Sequence, residues 1–338
     1  MNNEPLNAST DKTEPQIITP LSQSEGGNPW PALPLADWAQ TRDTVHLWTQ
    51  MAGKVKLAAS PFQNHWWQVA LTLTPRGLTT GTLPYPRGAF SLEFDLLADE
   101  LRILSSRGWI ETIPLVTQTV SAFYGRLIDT LQQRGITLRI DPTPAEILDA
   151  IPFDRDQQHG TYDAEAVRRW WRILLSVEQV FRQHNASFAG KSSPVLFYWG
   201  SFDLALARYS GRTAPFLEKA PRFVALAEDR ENVACGFWPG NTSMSGVTLG
   251  EPAFYSYVYP EPPGFRDAKV APDAAFYHQE LNQFILPYEA VRISASPEET
   301  LLQFLRSTYA VAATHGSWDQ DILEIDYPEV KSAGRREI

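Results

Sequence analysis

Apolar residues recur at helical spacing in four places along the chain, and stretches of strict alternation lie between them. Trp38, Val45, Trp48 and Met51 share one face of a segment opened by Asp37. Val167, Trp171, Leu174, Leu175 and Phe181 form a second stripe after Asp163, whose carboxylate suits a helix N-cap. A third stripe, Val116, Val120, Phe123, Leu127 and Leu131, stops at Gly135. The fourth, Leu301, Phe304, Leu305 and Tyr309, stops at Gly316 and opens on Ser296-Pro297-Glu298-Glu299, a capping box with proline at the first helical position. Between the helices, AFSLEFD (Ala89 to Asp95) and AFYSYVY (Ala253 to Tyr259) alternate as half-buried strands do, and short proline-bearing strands follow at Ile113 and Leu286.

These elements come in one order, twice. Trp38 to Trp48 and Trp171 to Phe181 share a spacing, as do Trp67 to Arg76 (WQVALTLTPR) and Trp199 to Arg208 (WGSFDLALAR), and Phe123 to Gly135 and Phe304 to Gly316. Helix, strands, helix, repeated, predicts an α+β fold of two similar halves, with helices packed on antiparallel sheets. Strands in runs argue against parallel βαβ winding, and no G-x-G-x-x-G or P-loop pattern is present. The expected boundaries are a disordered tail over 1–29, halves over 30–155 and 156–322 packed as one body, and a flexible tail over 323–338.

Composition narrows the partners. The net charge of −10 and the absence of a basic cluster disfavour nucleic acid, which demands clustered lysine and arginine. No apolar run is long enough to span a bilayer, and the N-terminus lacks the basic and apolar regions of a signal peptide, so cytoplasmic residence is the expectation. One cysteine, Cys235, excludes an internal disulfide. With no histidine or cation beside it, Cys235 reads as a buried, inert thiol. The 11 tryptophans are clustered, and they build either an aromatic core or the wall of a pocket.

Six stretches are distinctive: HWWQVALTLTPRGLTT, IPFDRDQQHGTYD, FYWGSFDLALARYSGR, GFWPG, FYSYVYPEPPGF and FLRSTYAVAATHGSWD. Through them the chain, over roughly residues 30 to 322, resembles the bacterial family catalogued as domain of unknown function 5996. The resemblance implies a soluble bacterial protein of one repeated body; it carries no activity, cofactor or catalytic residue.

The chemistry must therefore be argued from the residues. If 193–212 is one extended strand, Tyr198, Phe202, Leu204 and Leu206 face the core, and Trp199, Ser201, Asp203, Ala205 and Ala207 face the other way. The first half carries Trp67, Val69, Leu71 and Leu73 at the matching positions, so apolar bulk has become small and polar. Three readings of Asp203 stay open. It lines a ligand wall, it forms a buried ion pair with Arg76, Arg208 or Arg212, or it favours the N-terminus of a helix capped by Ser201.

Trp66, Trp199 and Trp238 are candidate walls, with Trp238 presented by the GFWPG loop. Tyr255 and Tyr257 add hydroxyls on one strand face, and Arg76, Arg208 and Arg212 are candidate charges for an anion. His65 is the histidine placed to act as base or ligand contact, whereas His184 and His315 fall in the last turns of helices. Asp156, His159 and Asp163 concentrate hard ligands in a linker, a weak metal pattern, since Asp163 already caps a helix. No nucleophile motif supports a covalent hydrolase. Two function classes remain. One is a pocket between the halves for a small anionic or aromatic molecule, with Asp203 or His65 supplying acid–base chemistry if it is an enzyme. The other is an interaction module with an aromatic surface.

Overall fold

The protein is seen here as a computed structural model that describes residues 28–240 and 249–325. Of the expected tails, 1–29 and 323–338, residues 1–27 and 326–338 lie outside those residues, and Leu323 closes the last helix.

The apolar stripes do form helices. Helix α1 (Ala39–Ala59) starts two residues later than Asp37, which falls in a 3-10 turn. From Thr41 to Val55 it is buried on nearly every side, so it runs through the core rather than over it. This placement buries a polar row at four-residue spacing, Arg42, His46, Gln50 and Lys54. Helix α2 (Val120–Gln133) is capped by the Thr119 hydroxyl, which accepts from the Ala122 amide, and Val116 lies outside the helix and exposed. Helix α3 (Ala164–Asn185) is capped by Asp163 as its sequence predicts, the carboxylate accepting from the Glu165 and Ala166 amides.

Twelve strands are described, in two antiparallel sheets. The first contains β1 (Thr72–Thr74), β2 (Gly77–Thr79), β3 (Leu83–Tyr85), β4 (Gly88–Asp95), β5 (Glu100–Ser105) and β6 (Ile110–Pro114), in the order β1-β2-β4-β5-β6 with β3 on β4. The second contains β7 (Leu196–Tyr198), β8 (Asp203–Thr213), β9 (Arg230–Trp238), β10 (Ala253–Tyr259), β11 (Phe276–His278) and β12 (Gln283–Pro287). Its order is β7-β8-β9-β10-β12-β11. Mutual backbone hydrogen bonds of 2.9 Å between Leu71 and Phe197 join the two sheets at one bridge. The remaining helices are α4 (Arg222–Ala227), α5 (Tyr288–Arg292), α6 (Pro297–His315) and α7 (Gln320–Leu323). Ser296 precedes α6 but makes no side-chain cap bond. Together these elements form an α+β fold with helices packed on antiparallel sheet.

The run from Ser193 to Arg212 is not one strand. It breaks into a hairpin, with Tyr198 opposite Asp203 and a tight turn over Trp199–Phe202 closed by the Phe202 amide donating to the Tyr198 carbonyl at 2.8 Å. Phe202 takes a left-handed φ of 60°, unusual for a bulky side chain. An aromatic box holds it there: Trp170 stacks on it at 5.0 Å, Phe197 meets it edge-on at 5.4 Å, and the Arg42 guanidinium lies over it at 5.2 Å. Beyond the turn the alternation of β8 holds. Leu204, Leu206 and Arg208 face the helices, and Asp203, Ala205, Ala207 and Tyr209 face away from them. Tyr198 lies opposite Asp203 on that second face, not in the helix-facing core.

Candidate functional site

The face of the second sheet turned away from α3 and α6 is the floor of a pocket of about 500 Å³. Its floor is Asp203, Ala205, Ala207 and Tyr209 of β8 with Ala234, Tyr255 and Tyr257 from β9 and β10. The walls come from elsewhere in the chain. Lys54 and Leu57 belong to α1, His65 and Trp66 to the turn after it, Glu146 to a loop, and Phe223, Val224 and Ala227 to α4, with Glu228 just beyond. Chain segments on both sides of residue 155 therefore build it.

Several local features exist to seat these side chains. A Cβ at Gly53 would fall 2.2 Å from the Trp199 indole, one at Gly200 2.1 Å from the Glu146 carboxyl, and one at Gly236 2.3 Å from the Tyr255 ring. All three glycines are needed for close approach rather than for turn conformation. The polar row on α1 anchors both loops that reach the pocket. His46 donates Nε2–H to the Gly200 carbonyl at 2.9 Å, and Gln50 clamps Ala145 through its backbone carbonyl at 2.9 Å and amide at 2.7 Å. Burial and the Arg42 charge hold His46 down to about 3, so it is neutral. Trp199 donates its indole N–H to the Val69 carbonyl at 2.8 Å.

Backbone strain gathers here as well. Of the eight non-glycine residues with positive φ among the described residues, His65, Trp66 and Glu146 line the pocket and Phe202 sits in its Trp199–Phe202 turn. Each such conformation costs about 1–3 kcal/mol and persists only where the surroundings over-determine it.

Three carboxyl groups face the pocket. Asp203, only 3% exposed, accepts from the Ser201 hydroxyl at 2.5 Å and from the Tyr255 hydroxyl. Burial pushes its pKa up to about 6 despite those bonds. Glu146 is exposed as a whole residue, but its carboxyl is turned inward, where desolvation and the Asp203 charge push it up to about 7. Among the described residues no hydrogen bond or ion pair engages that carboxyl. Glu228 accepts from Asn232 at 2.6 Å and from the Tyr257 hydroxyl at 3.0 Å, and burial raises its pKa too. A second cleft of about 490 Å³ adjoins the first, sharing Glu228 and Tyr257 and continuing past Tyr259 to Glu261 and Arg266.

The structure brings together Asp203, His65, Trp66, Trp199, Ser201, Tyr255 and Tyr257 around this pocket. Trp238 is not presented by a loop. It ends β9 and packs on the Tyr255 ring at 4.6 Å, backing the pocket without lining it. The three arginines lie elsewhere, and none pairs with Asp203. Arg76 binds Asp95 at 2.6 Å in the β1–β2 turn, and Arg212 binds Glu231 at 2.6 Å and the carbonyls of Gly316 and Ser317. Arg208 faces the helices, under Phe188 and Tyr309, and donates to the His184 carbonyl. Odd-numbered and even-numbered positions of β8 point oppositely, which is why Arg208 and Asp203 cannot share a face.

His65 is spent on both nitrogens. Nδ1–H donates to the Ala227 carbonyl at 2.8 Å and Nε2 lies 3.0 Å from the Lys191 ammonium, while the ring stacks on Tyr209 at 4.5 Å. It ties α4 to the sheet. The linker acids are also engaged. Asp156 accepts from the Gln158 and His159 amides and from His159 Nδ1 at 2.7 Å, and Asp163 caps α3, so the two aspartates and the histidine do not form a metal set. Reading the sequence missed Lys54, Glu146, Tyr198, Tyr209 and Glu228. Two of them had a local signal: Tyr209 in the continued alternation of β8, and Lys54 in the four-residue polar spacing along α1.

The model of a family of unknown function, DUF5996, matches residues 30–325. The chain belongs to that family. No curated protein and no solved structure matches the chain. Membership thus names a relationship and assigns no reaction. No helix of the described residues is long and apolar enough to cross a membrane.

Proposed function

We propose that this DUF5996 protein binds a small molecule in the pocket on the outer face of the second sheet. One observation carries the reading. A concave site of about 500 Å³ gathers aromatic rings, three carboxyls and three left-handed residues from distant parts of the chain. Sites of that size, apolar walls and a few converging polar groups are what small ligands occupy. The alternative of an aromatic docking surface has less support. Every tryptophan of the protein is buried or half-buried, and the large exposed apolar residues do not include one. The anionic half of the expected ligand loses its basis, because the arginines meant to hold it lie outside the pocket. If the bound molecule is turned over, Asp203 and Glu146 are the groups equipped to move protons near neutral pH. His65 is not, with both nitrogens engaged.

The test is a ligand-observed NMR screen of a mixed fragment set against the protein and an Ala207→Trp variant. Ala207 is half-buried on the pocket floor, so the indole fills the cavity. Binders lost in a variant that keeps its melting temperature support the reading. Identical binding profiles for the two proteins refute it.

A further inference from the structure

Resting on that reading, we propose that the pocket is built for an organic cation, an ammonium group carried on a flat apolar body. Among the described residues, Glu146, Asp203 and Glu228 set three acids against one amine, Lys54, and no arginine lines the cavity. Lys54 is a poor counter-charge, since burial lowers its basicity and Asp141 is the acid that partly restores it. Asp203 and Glu228 each already accept two bonds from hydroxyl or amide donors. Glu146 accepts none from the described residues, which leaves one carboxyl whose natural complement is a cation from solution. Ring faces surround that charge: Trp66 and Trp199 on the walls, Tyr255 and Tyr257 stacked on the floor at 6.2 Å. Aromatic faces attract cations and repel anions, by about 0.5–2 kcal/mol per contact.

Proton linkage gives this ligand class a signature. Lys54 of α1, His65 and Glu146 of the loops, Glu228 after α4, and Tyr198, Tyr209, Tyr255 and Tyr257 with Asp203 on the sheet face the site. The tyrosines are pushed above their ordinary range by burial and His65 below its own. Burial raises all three acids, Asp203 to about 6, Glu146 to about 7 and Glu228 upward as well, so the acids carry the titration between pH 5.5 and 8. A cation favours their ionised forms, expels protons on binding and binds more tightly as pH rises. A neutral ligand lacks that dependence, and an anion reverses it.

Three probes of equal size settle the point: benzylamine, benzyl alcohol and benzoate, titrated by NMR and calorimetry into the full chain at pH 5.5 and 8. Benzylamine is expected to bind about tenfold tighter than the others at pH 8 and to weaken several-fold at pH 5.5, with protons released into the buffer. Glu146→Gln, at an exposed loop position, should weaken it about tenfold, and Lys54→Met should tighten it. Benzoate or benzyl alcohol equalling benzylamine, with all three displaced in Ala207→Trp, overturns the cation and leaves the pocket standing. Benzylamine binding that survives Ala207→Trp removes both. No binding by any probe, or an unchanged affinity in a folded Glu146→Gln, also overturns the cation.

Discussion

Asp95, at the end of β4, and Asp203, at the start of β8, are both 3% exposed. Their settings diverge from there. Asp95 lies just beneath the surface, covered by Arg76, whose side chain is itself 54% exposed. Burial alone would raise its pKa, but Arg76 and the amides of Ala98 and Leu97 outweigh that and hold it below the usual carboxylate range. Asp203 lies deep, its partners are two hydroxyls, and burial wins. Equal coverage therefore does not mean equal chemistry. An acid held by a cation and backbone amides locks a β-turn, whereas one held by neutral hydroxyls keeps a proton within reach of a cavity.

The contrast can be broken most visibly through pH. Asp203 has a folded pKa of about 6 against about 4 unfolded, so its contribution to stability is greatest in acid and declines as pH rises from 4 to 6. The Asp203→Asn variant should lack that decline. The stability difference between variant and wild type should then swing by about 3 kcal/mol in the variant's favour from pH 4 to pH 8. Urea unfolding at both pH values measures it, and a flat difference would show that Asp203 stays ionised. Asp95 slopes the other way: its depressed pKa supplies stability above the ordinary carboxylate value that disappears as pH falls. Asp95→Ala removes the acceptor of both amides and the Arg76 partner, and should cost about 2 kcal/mol at pH 7 in the same assay. The smallest effect sharpens the comparison at one bond. Tyr255→Phe deletes a donor that favours the Asp203 anion, so the Asp203 carboxyl resonance should titrate about one pH unit higher, roughly 1 kcal/mol.

The helices and most strands were legible because binary pattern determines which face is buried, and α3, β4 and β10 follow it closely. The hairpin at Trp199–Phe202 was not, since its turn hides in an apolar run and is enforced by partners far away, Trp170, Arg42 and His46. Pairing preferences misled for a related reason. Arg76, next to Gly77 of β2, reaches an acid on the neighbouring strand β4, and strand pairing of that kind cannot be seen in spacing alone. Glu146 carried no signal, being placed by Gln50 nearly a hundred positions earlier. One missed signal was readable: Arg42, His46, Gln50 and Lys54, polar at every fourth position inside an otherwise buried helix, mark a face that must find polar company indoors.

The partition between the two clefts is thin. Glu228 and Tyr257 line both, and a single 3.0 Å hydrogen bond between their side chains spans the boundary. If the proposed guest binds, that bond would set a limit on its length rather than on its charge, because a molecule filling the first chamber would meet Tyr257. A guest able to take over the Glu228 carboxylate would open a channel of roughly twice the volume, running along the Tyr255–Tyr257–Tyr259 row toward Arg266.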